Sequence, residues 1–148
     1  MGSASAGNLD FLKELGADEV LDYRAQPFDE VVRDVDMVFD ASPLRDNEER
    51  LKSVTVLKEG GVLVSVNVDF PFSEEVLAAL AQKGATGELV ANQPRQDWLA
   101  EITQLMEANK VKVLISQVFP LDQVVAAHRE SETWHVRGKL ILEVKQEG

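Results

Sequence analysis

The chain has 148 residues, of which 45% are hydrophobic, and its 26 acidic against 15 basic side chains give a net charge of −11. A field of that sign repels nucleic acid and anionic lipid, so neither is an expected partner. The sequence has no cysteine and only two histidines, which excludes disulfides and zinc sites built from thiolates or several imidazoles. Its apolar runs are too short to span a bilayer and its first residues lack a secretory signal pattern, so a cytoplasmic protein is expected.

Strand-like and helix-like segments alternate along the whole chain. Strand patterns are predicted at 19–23, 35–41, 62–67, 86–91, 114–119 and 139–145. Helical patterns are predicted at 8–15, 28–33, 46–57, from an N-cap at Ser73, 97–109 and 122–132. Such alternation with short connections predicts an α/β fold, a parallel sheet with helices on both faces. The near-continuous apolar run at 35–41 predicts a strand that is buried on both faces.

Four stretches in a fixed order carry a resemblance to a known family. They are LGADEVLDY (15–23), DVDMVFDA (34–41), LKEGGVLVS (57–65) and HVRGKLILEV (135–144), and VFPLDQVVAAH (118–128) lies before the last of them. In this order they resemble the cofactor-binding half of the medium-chain dehydrogenase/reductase superfamily, especially its zinc-free, quinone-oxidoreductase-like branch. The resemblance implies a Rossmann-like fold.

The resemblance begins partway through that fold. Neither a first strand with a Gly-x-Gly-x-x-Gly loop nor the family's N-terminal catalytic domain precedes the matching stretches. We therefore interpret residues 1–148 as one partial dinucleotide-binding domain, in which 111–148 resembles the segment that returns to the missing catalytic domain. A sheet without its first strand has unpaired flanks, so the expected partner is a second copy of the chain or a complementary missing domain.

The segment SASAGN at 3–8 resembles the one that borders the adenosine ribose in the family. Ser5 and Asn8 are candidate cofactor contacts here, because small hydroxyls and backbone N–H groups at a helix start suit a phosphate. No Asp or Glu is present in the segment to bind a ribose 2′-hydroxyl, which favours NADPH over NADH. Similar quinone reductases use a lysine where Asn8 stands. The alternative is that Ser5 or Asn8 caps a helix and that the first residues are left from an expression tag.

Tyr23 follows strand residues 19–22, where similar quinone reductases place a tyrosine against the 2′-phosphate. Arg24 adds a positive charge at the same strand end. The alternative interpretation of Tyr23 is a packing residue with a solvated hydroxyl.

Three further positions are implied by the resemblance. Asn67 ends a strand where relatives hold the nicotinamide, although a turn-forming asparagine is the alternative. Arg137 and Lys139 lie near the last strand, where some relatives use a basic residue on the cofactor phosphate, and solvated surface is the alternative. Asp40 ends another strand and is interpreted as an organiser of hydrogen bonds rather than an acid.

No catalytic residue and no metal ligand is predicted. The sequence indicates the C-terminal part of an NADPH-dependent oxidoreductase of the quinone or enone reductase type, inactive on its own because the family's polarising groups come mostly from the absent half. The alternative is a non-catalytic Rossmann-like module that serves interaction or dimerisation.

Overall fold

The computed structural model describes residues 1–144, which divide between Gln93 and Pro94 into two compact units. The N-terminal unit contains β1 (Gly2–Ala4), α1 (Leu9–Glu14), β2 (Val20–Asp22), α2 (Phe28–Val31), β3 (Val35–Asp40), α3 (Asn47–Val56), β4 (Leu57–Ser65), α4 (Glu74–Gln82) and β5 (Thr86–Leu89). The C-terminal unit contains α5 (Gln96–Glu107), β6 (Ile115–Pro120), α6 (Val124–Ser131) and β7 (Lys139–Glu143). Every described strand pair is parallel, which confirms the predicted α/β class.

The strands of the N-terminal unit form two separate parallel sheets, one of β2 and β1 and one ordered β3–β4–β5. A doubly wound dinucleotide-binding sheet has the strand order 3-2-1-4-5-6. The two sheets reproduce the 3-2 and 4-5-6 parts of that order, and strand 1 would pair with β1 on one side and β3 on the other. The interruption is therefore the one expected of a Rossmann-like sheet that lacks its first strand.

The core of the N-terminal unit lies between β4 and the helices α3 and α4. Leu57 and Leu63 of β4 are fully buried and pack with Val54 of α3 and with Val76 and Leu80 of α4. Burying one such side chain stabilises the fold by about 1.5–3 kcal/mol. Ser73 caps α4 as predicted, since its hydroxyl accepts a hydrogen bond from the backbone N–H of Val76 at 3.3 Å.

The expectation that β3 is buried on both faces is wrong. Met37 and Phe39 are 57% and 62% exposed, whereas Val38 between them packs against the core. Val35 also packs there, on the other side of a register irregularity between Val35 and Met37. Successive side chains of a strand point to opposite faces, so Met37 and Phe39 lie on the face away from this core. An apolar run in the sequence does not show whether other elements of the fold cover the second face of the strand.

The other element boundaries differ from the predictions in two places. Gly2–Ala4, which carries no strand signal, forms β1 because it pairs with β2. The strand expected at 62–67 begins at Leu57 and ends at Ser65, with a register irregularity in its pairing to β3. The remaining helices and strands lie within about two residues of their predicted bounds. Lys145, predicted to end the last strand, lies outside the described residues.

We expect Gly138→Ala to weaken the β6–β7 pair strongly. Gly138 has φ +99°, and a Cβ added there would lie 2.3 Å from the carbonyl oxygen of Leu114, which also accepts the backbone N–H of Lys139 at 2.8 Å. Positive φ in a non-glycine residue alone costs of order 1–3 kcal/mol. Hydrogen exchange of the β6 and β7 amides would measure the loss. The matched change Gly7→Ala, where a Cβ meets nothing within 4 Å, should leave exchange unaltered, and equal effects would contradict the argument.

Candidate functional site

Ligands of open α/β sheets bind outside the carboxyl ends of the strands. In the N-terminal unit these ends carry two groups of polar side chains. One group follows β1 and β2, and the other follows β3 and β4.

Ser5 and Asn8 are in direct contact at the end of β1. The side-chain amide nitrogen of Asn8 donates to Ser5 Oγ at 3.1 Å, and its backbone N–H donates to the Ser5 carbonyl at 2.8 Å. Both residues stand at N-cap positions, Ser5 of a 3₁₀ turn and Asn8 of α1, but neither side chain accepts a hydrogen bond from the helix that it precedes. Ser5 and Asn8 therefore occupy the N-cap positions that the alternative interpretation predicts, but their side chains do not cap the helices.

Tyr23 lies at the neighbouring strand end. Its backbone N–H donates to the Ala4 carbonyl at 3.3 Å, which continues the pairing of β1 with β2, and the residue is 50% exposed. The Arg24 guanidinium lies 5.6 Å from the centroid of the Tyr23 ring, and the Arg24 backbone N–H donates to Asp22 Oδ1 at 3.0 Å. The fold thus brings Ser5 and Tyr23 to adjacent strand ends, with Arg24 beside Tyr23. A hydroxyl, a phenol and a guanidinium form a donor set that suits a phosphate.

Asp40 organises the polar groups that follow β3 and β4, as predicted. Its Oδ1 accepts the backbone N–H and the hydroxyl of Ser42 at 3.1 and 2.9 Å, and its Oδ2 accepts the hydroxyl of Ser65 at 2.9 Å. Ser65 Oγ in turn accepts the backbone N–H of Asn67 at 3.2 Å, and the Asn67 side-chain amide nitrogen donates to the Ser42 carbonyl at 2.9 Å. This arrangement agrees with the turn-forming interpretation of Asn67, and its contact with a nicotinamide stays a prediction.

Arg50 of α3 completes this group, and sequence reasoning missed it. It is 3% exposed, and its guanidinium donates to the Pro71 carbonyl at 3.0 Å and to Ser65 Oγ at 3.4 Å. Its Nε lies 3.9 Å from Asp40 Oδ2, a carboxylate whose side chain is 14% exposed. We call Asp40, Ser42, Arg50, Ser65 and Asn67 the strand-end network.

Two aromatic rings enclose the Arg50 cation. The guanidinium carbon lies 4.5 Å from the ring centroid of Phe70 and 4.8 Å from that of Phe72. Burial lowers the pKa of Arg50 from its ordinary value, and the Asp40 carboxylate opposes that shift, so the group stays a cation at neutral pH. One feature of the sequence could have indicated that Arg50 is buried. It lies four and seven residues before the apolar Val54 and Leu57, a spacing that places all three on one face of a helix.

Arg137 and Lys139 belong to the C-terminal unit, and the other four predicted residues belong to the N-terminal unit. They flank Gly138, both are exposed, and Lys139 begins β7. Their contact with a cofactor phosphate stays a prediction.

Among residues 1–144, no three His, Cys, Asp or Glu side chains converge on a point that could hold a metal ion. Within the same range, no helix is both long and apolar enough to cross a membrane.

Comparison with known proteins places this geometry in a family. A family model described as zinc-binding dehydrogenase matches residues 15–142. A probable mitochondrial zinc-binding oxidoreductase of Arthroderma benhamiae is 32% identical over 97% of this chain and 44% of its own length. A chloroplastic NADPH-dependent alkenal/one oxidoreductase of Arabidopsis thaliana is 29% identical over 95% of this chain and 32% of its own.

A solved structure agrees with these relatives. The quinone oxidoreductase from Coxiella burnetii superposes with a TM-score of 0.80 at 33% identity, covering 97% of this chain and 44% of that one. The chain spans less than half the length of the relatives it matches. On the family model, the relatives and the shared fold, the chain belongs to the zinc-binding dehydrogenase family and corresponds to the C-terminal part of medium-chain dehydrogenase/reductase proteins.

Proposed function

We propose that this chain supplies part of the cofactor-binding half of an NADPH-dependent oxidoreductase that acts on quinones or enones. The observation that carries the proposal is the β1–β2 strand end, where Ser5 and Tyr23 follow two paired strands and the Arg24 guanidinium lies beside the Tyr23 ring. α/β sheets bind ligands at this edge. The residue that follows β1 is Ser5 and not an acidic residue of the kind that binds a ribose 2′-hydroxyl. The donors of Ser5, Tyr23 and Arg24, without an acidic residue after β1, favour binding of a 2′-phosphate.

The relatives support the cofactor and the substrate class. One is named as an NADPH-dependent alkenal/one oxidoreductase and another as a quinone oxidoreductase. When bound, NADPH supplies a hydride. In the proposal Tyr23 and Arg24 hold the 2′-phosphate, the backbone that follows β4 holds the nicotinamide, and Arg137 and Lys139 bind a cofactor phosphate. The chain contributes no catalytic residue, so on its own it binds cofactor without turning over substrate.

We expect isothermal titration calorimetry of the purified chain to give saturable NADPH binding in the micromolar range, with NADH at least about tenfold weaker. Tenfold corresponds to about 1.4 kcal/mol, which is within the reach of one charge-assisted hydrogen bond to the additional phosphate. Equal affinity for the two cofactors would overturn the assignment of the β1–β2 strand end. No binding of either at about millimolar concentration, which is about 4 kcal/mol, would overturn the proposal as a whole.

A second candidate function is a non-catalytic module that dimerises. The supporting observation is the exposed apolar pair Met37 and Phe39 on β3, in a sheet whose β3 edge pairs with no other described strand. Light scattering distinguishes the candidates. A stable dimer that Phe39→Glu dissociates, in a chain that binds no NADPH, would favour the module, and a monomer that binds NADPH would exclude it.

A further inference from the structure

We propose that Arg50 is a positioning residue for the nicotinamide end of the cofactor site. It acts through Asp40 and Ser65 by fixing the two loops that follow β3 and β4. The inference rests on the proposed function and deepens it, because it assigns a task to a buried cation outside the groups that contact cofactor.

Arg50 is too deeply buried to contact a ligand itself. With 3% of its surface exposed, its donors are directed at Ser65, at the Pro71 carbonyl and toward Asp40. A buried guanidinium is costly to desolvate, so such a group persists only where its partners satisfy it and hold it in one geometry. The rings of Phe70 and Phe72 restrict its movement further.

The partners of Arg50 fix both loops at once. In the loop after β3, Asp40 holds the backbone and hydroxyl of Ser42. In the loop after β4, Ser65 holds the backbone N–H of Asn67, and Arg50 holds the Pro71 carbonyl five residues after Val66. The bond from the Asn67 side chain to the Ser42 carbonyl then joins the loops to each other.

The backbone that would border the nicotinamide lies between these fixed points. It begins at Val66, directly after the buried Ser65, and reaches Pro71. Small displacements of groups that orient a ligand reduce affinity and rate. Weakening the strand-end network should therefore reduce binding of the nicotinamide before it affects binding of the 2′-phosphate. The β1–β2 strand end belongs to a separate sheet and shares none of the network's hydrogen bonds given above.

The test compares two ligands that share the 2′-phosphate. NADPH carries a nicotinamide, whereas adenosine 2′,5′-bisphosphate does not. We expect Ser65→Ala to weaken NADPH binding by about tenfold and to leave binding of the bisphosphate within about twofold, because it removes the hydroxyl that joins Asp40 to Asn67. Arg50→Lys, which keeps the charge but not the planar set of donors, should have the same selective effect.

Arg45→Met is the matched control. Arg45 also joins the two loops, through an ion pair with Asp69 at 2.5 Å, but both side chains are more than half exposed. Its replacement should change neither affinity by more than about twofold.

The outcomes separate the inference from the proposed function. Equal weakening of both ligands by Ser65→Ala, or no weakening of either, would overturn the positioning role alone. Equal affinity of the unmodified chain for NADPH and the bisphosphate would also overturn it, since no nicotinamide contribution would exist to be lost. An unmodified chain that binds neither ligand would overturn the proposed function itself. Ser65→Ala is a small change, so it still tests the positioning role if the Arg50→Lys variant fails to fold.

Discussion

Replacing Arg50 by Met should lower the free energy of unfolding of the N-terminal unit by about 3 kcal/mol. The change leaves the Asp40 carboxylate, whose side chain is 14% exposed, without its cation and the Pro71 carbonyl without its donor. Methionine retains apolar contact with the enclosing Phe70 and Phe72 rings. The loss of stability should therefore come mainly from the missing charge and hydrogen bonds, and less from a change in side-chain volume. Urea unfolding should show a lower midpoint with an unchanged slope.

Two further variants make this expectation specific. Arg45→Met removes an exposed ion pair with Asp69 and should cost no more than about 1 kcal/mol. Adding Asp40→Asn to Arg50→Met removes the uncompensated charge and should recover part of the loss, so the two changes should be non-additive. A cost for Arg50→Met no greater than that for Arg45→Met would show that the buried cation does not hold this unit together.

The fold class could be predicted from the sequence more accurately than the pairing and exposure of the individual strands. Alternating periodicities of strand and helix are local properties, which is why the α/β class and most element bounds were predicted correctly. Gly2–Ala4 was missed because a segment of two small residues around a serine has no intrinsic strand preference and pairs only through its long-range contact with β2. The exposure of Met37 and Phe39 was missed for a related reason, since coverage of a sheet face depends on elements distant in sequence.

The candidate site was predictable to the extent that it follows strand ends. Asp40 was singled out because it ends a strand at the edge where α/β sheets bind ligands, and its role in organising hydrogen bonds is confirmed. Asn67 was singled out through the family resemblance, and its contact with a nicotinamide stays a prediction. Arg50 was not found, since charged residues in helices are mostly solvated and its helical spacing with Val54 was the one contrary sign. The contact of Asn8 with Ser5 depends on the 3₁₀ turn between β1 and α1, which strand and helix periodicity does not describe.

Arg24→Ala should reduce the affinity for NADPH by about tenfold to a hundredfold and leave that for NADH nearly unchanged. One charge-assisted hydrogen bond to a phosphate contributes about 1.5–3 kcal/mol, and the guanidinium lies beside Tyr23 at the end of β2, where the proposal places the 2′-phosphate. Calorimetric titration with both cofactors measures the difference. Tyr23→Phe, which removes only the hydroxyl, should reduce NADPH affinity less, because a neutral donor binds phosphate more weakly than a cation.

Arg33→Ala provides the control for net charge. Arg33 is an exposed arginine of the same unit whose guanidinium donates to the Asp29 and Val32 carbonyls, away from the strand ends. If Arg33→Ala and Arg24→Ala reduce NADPH affinity equally, the effect is long-range and the site assignment is wrong. If Arg24→Ala alone acts, the contribution is local. A local cation is also what the chain requires, because its net charge of −11 repels a polyphosphate cofactor at long range and binding depends on compensation at the point of contact.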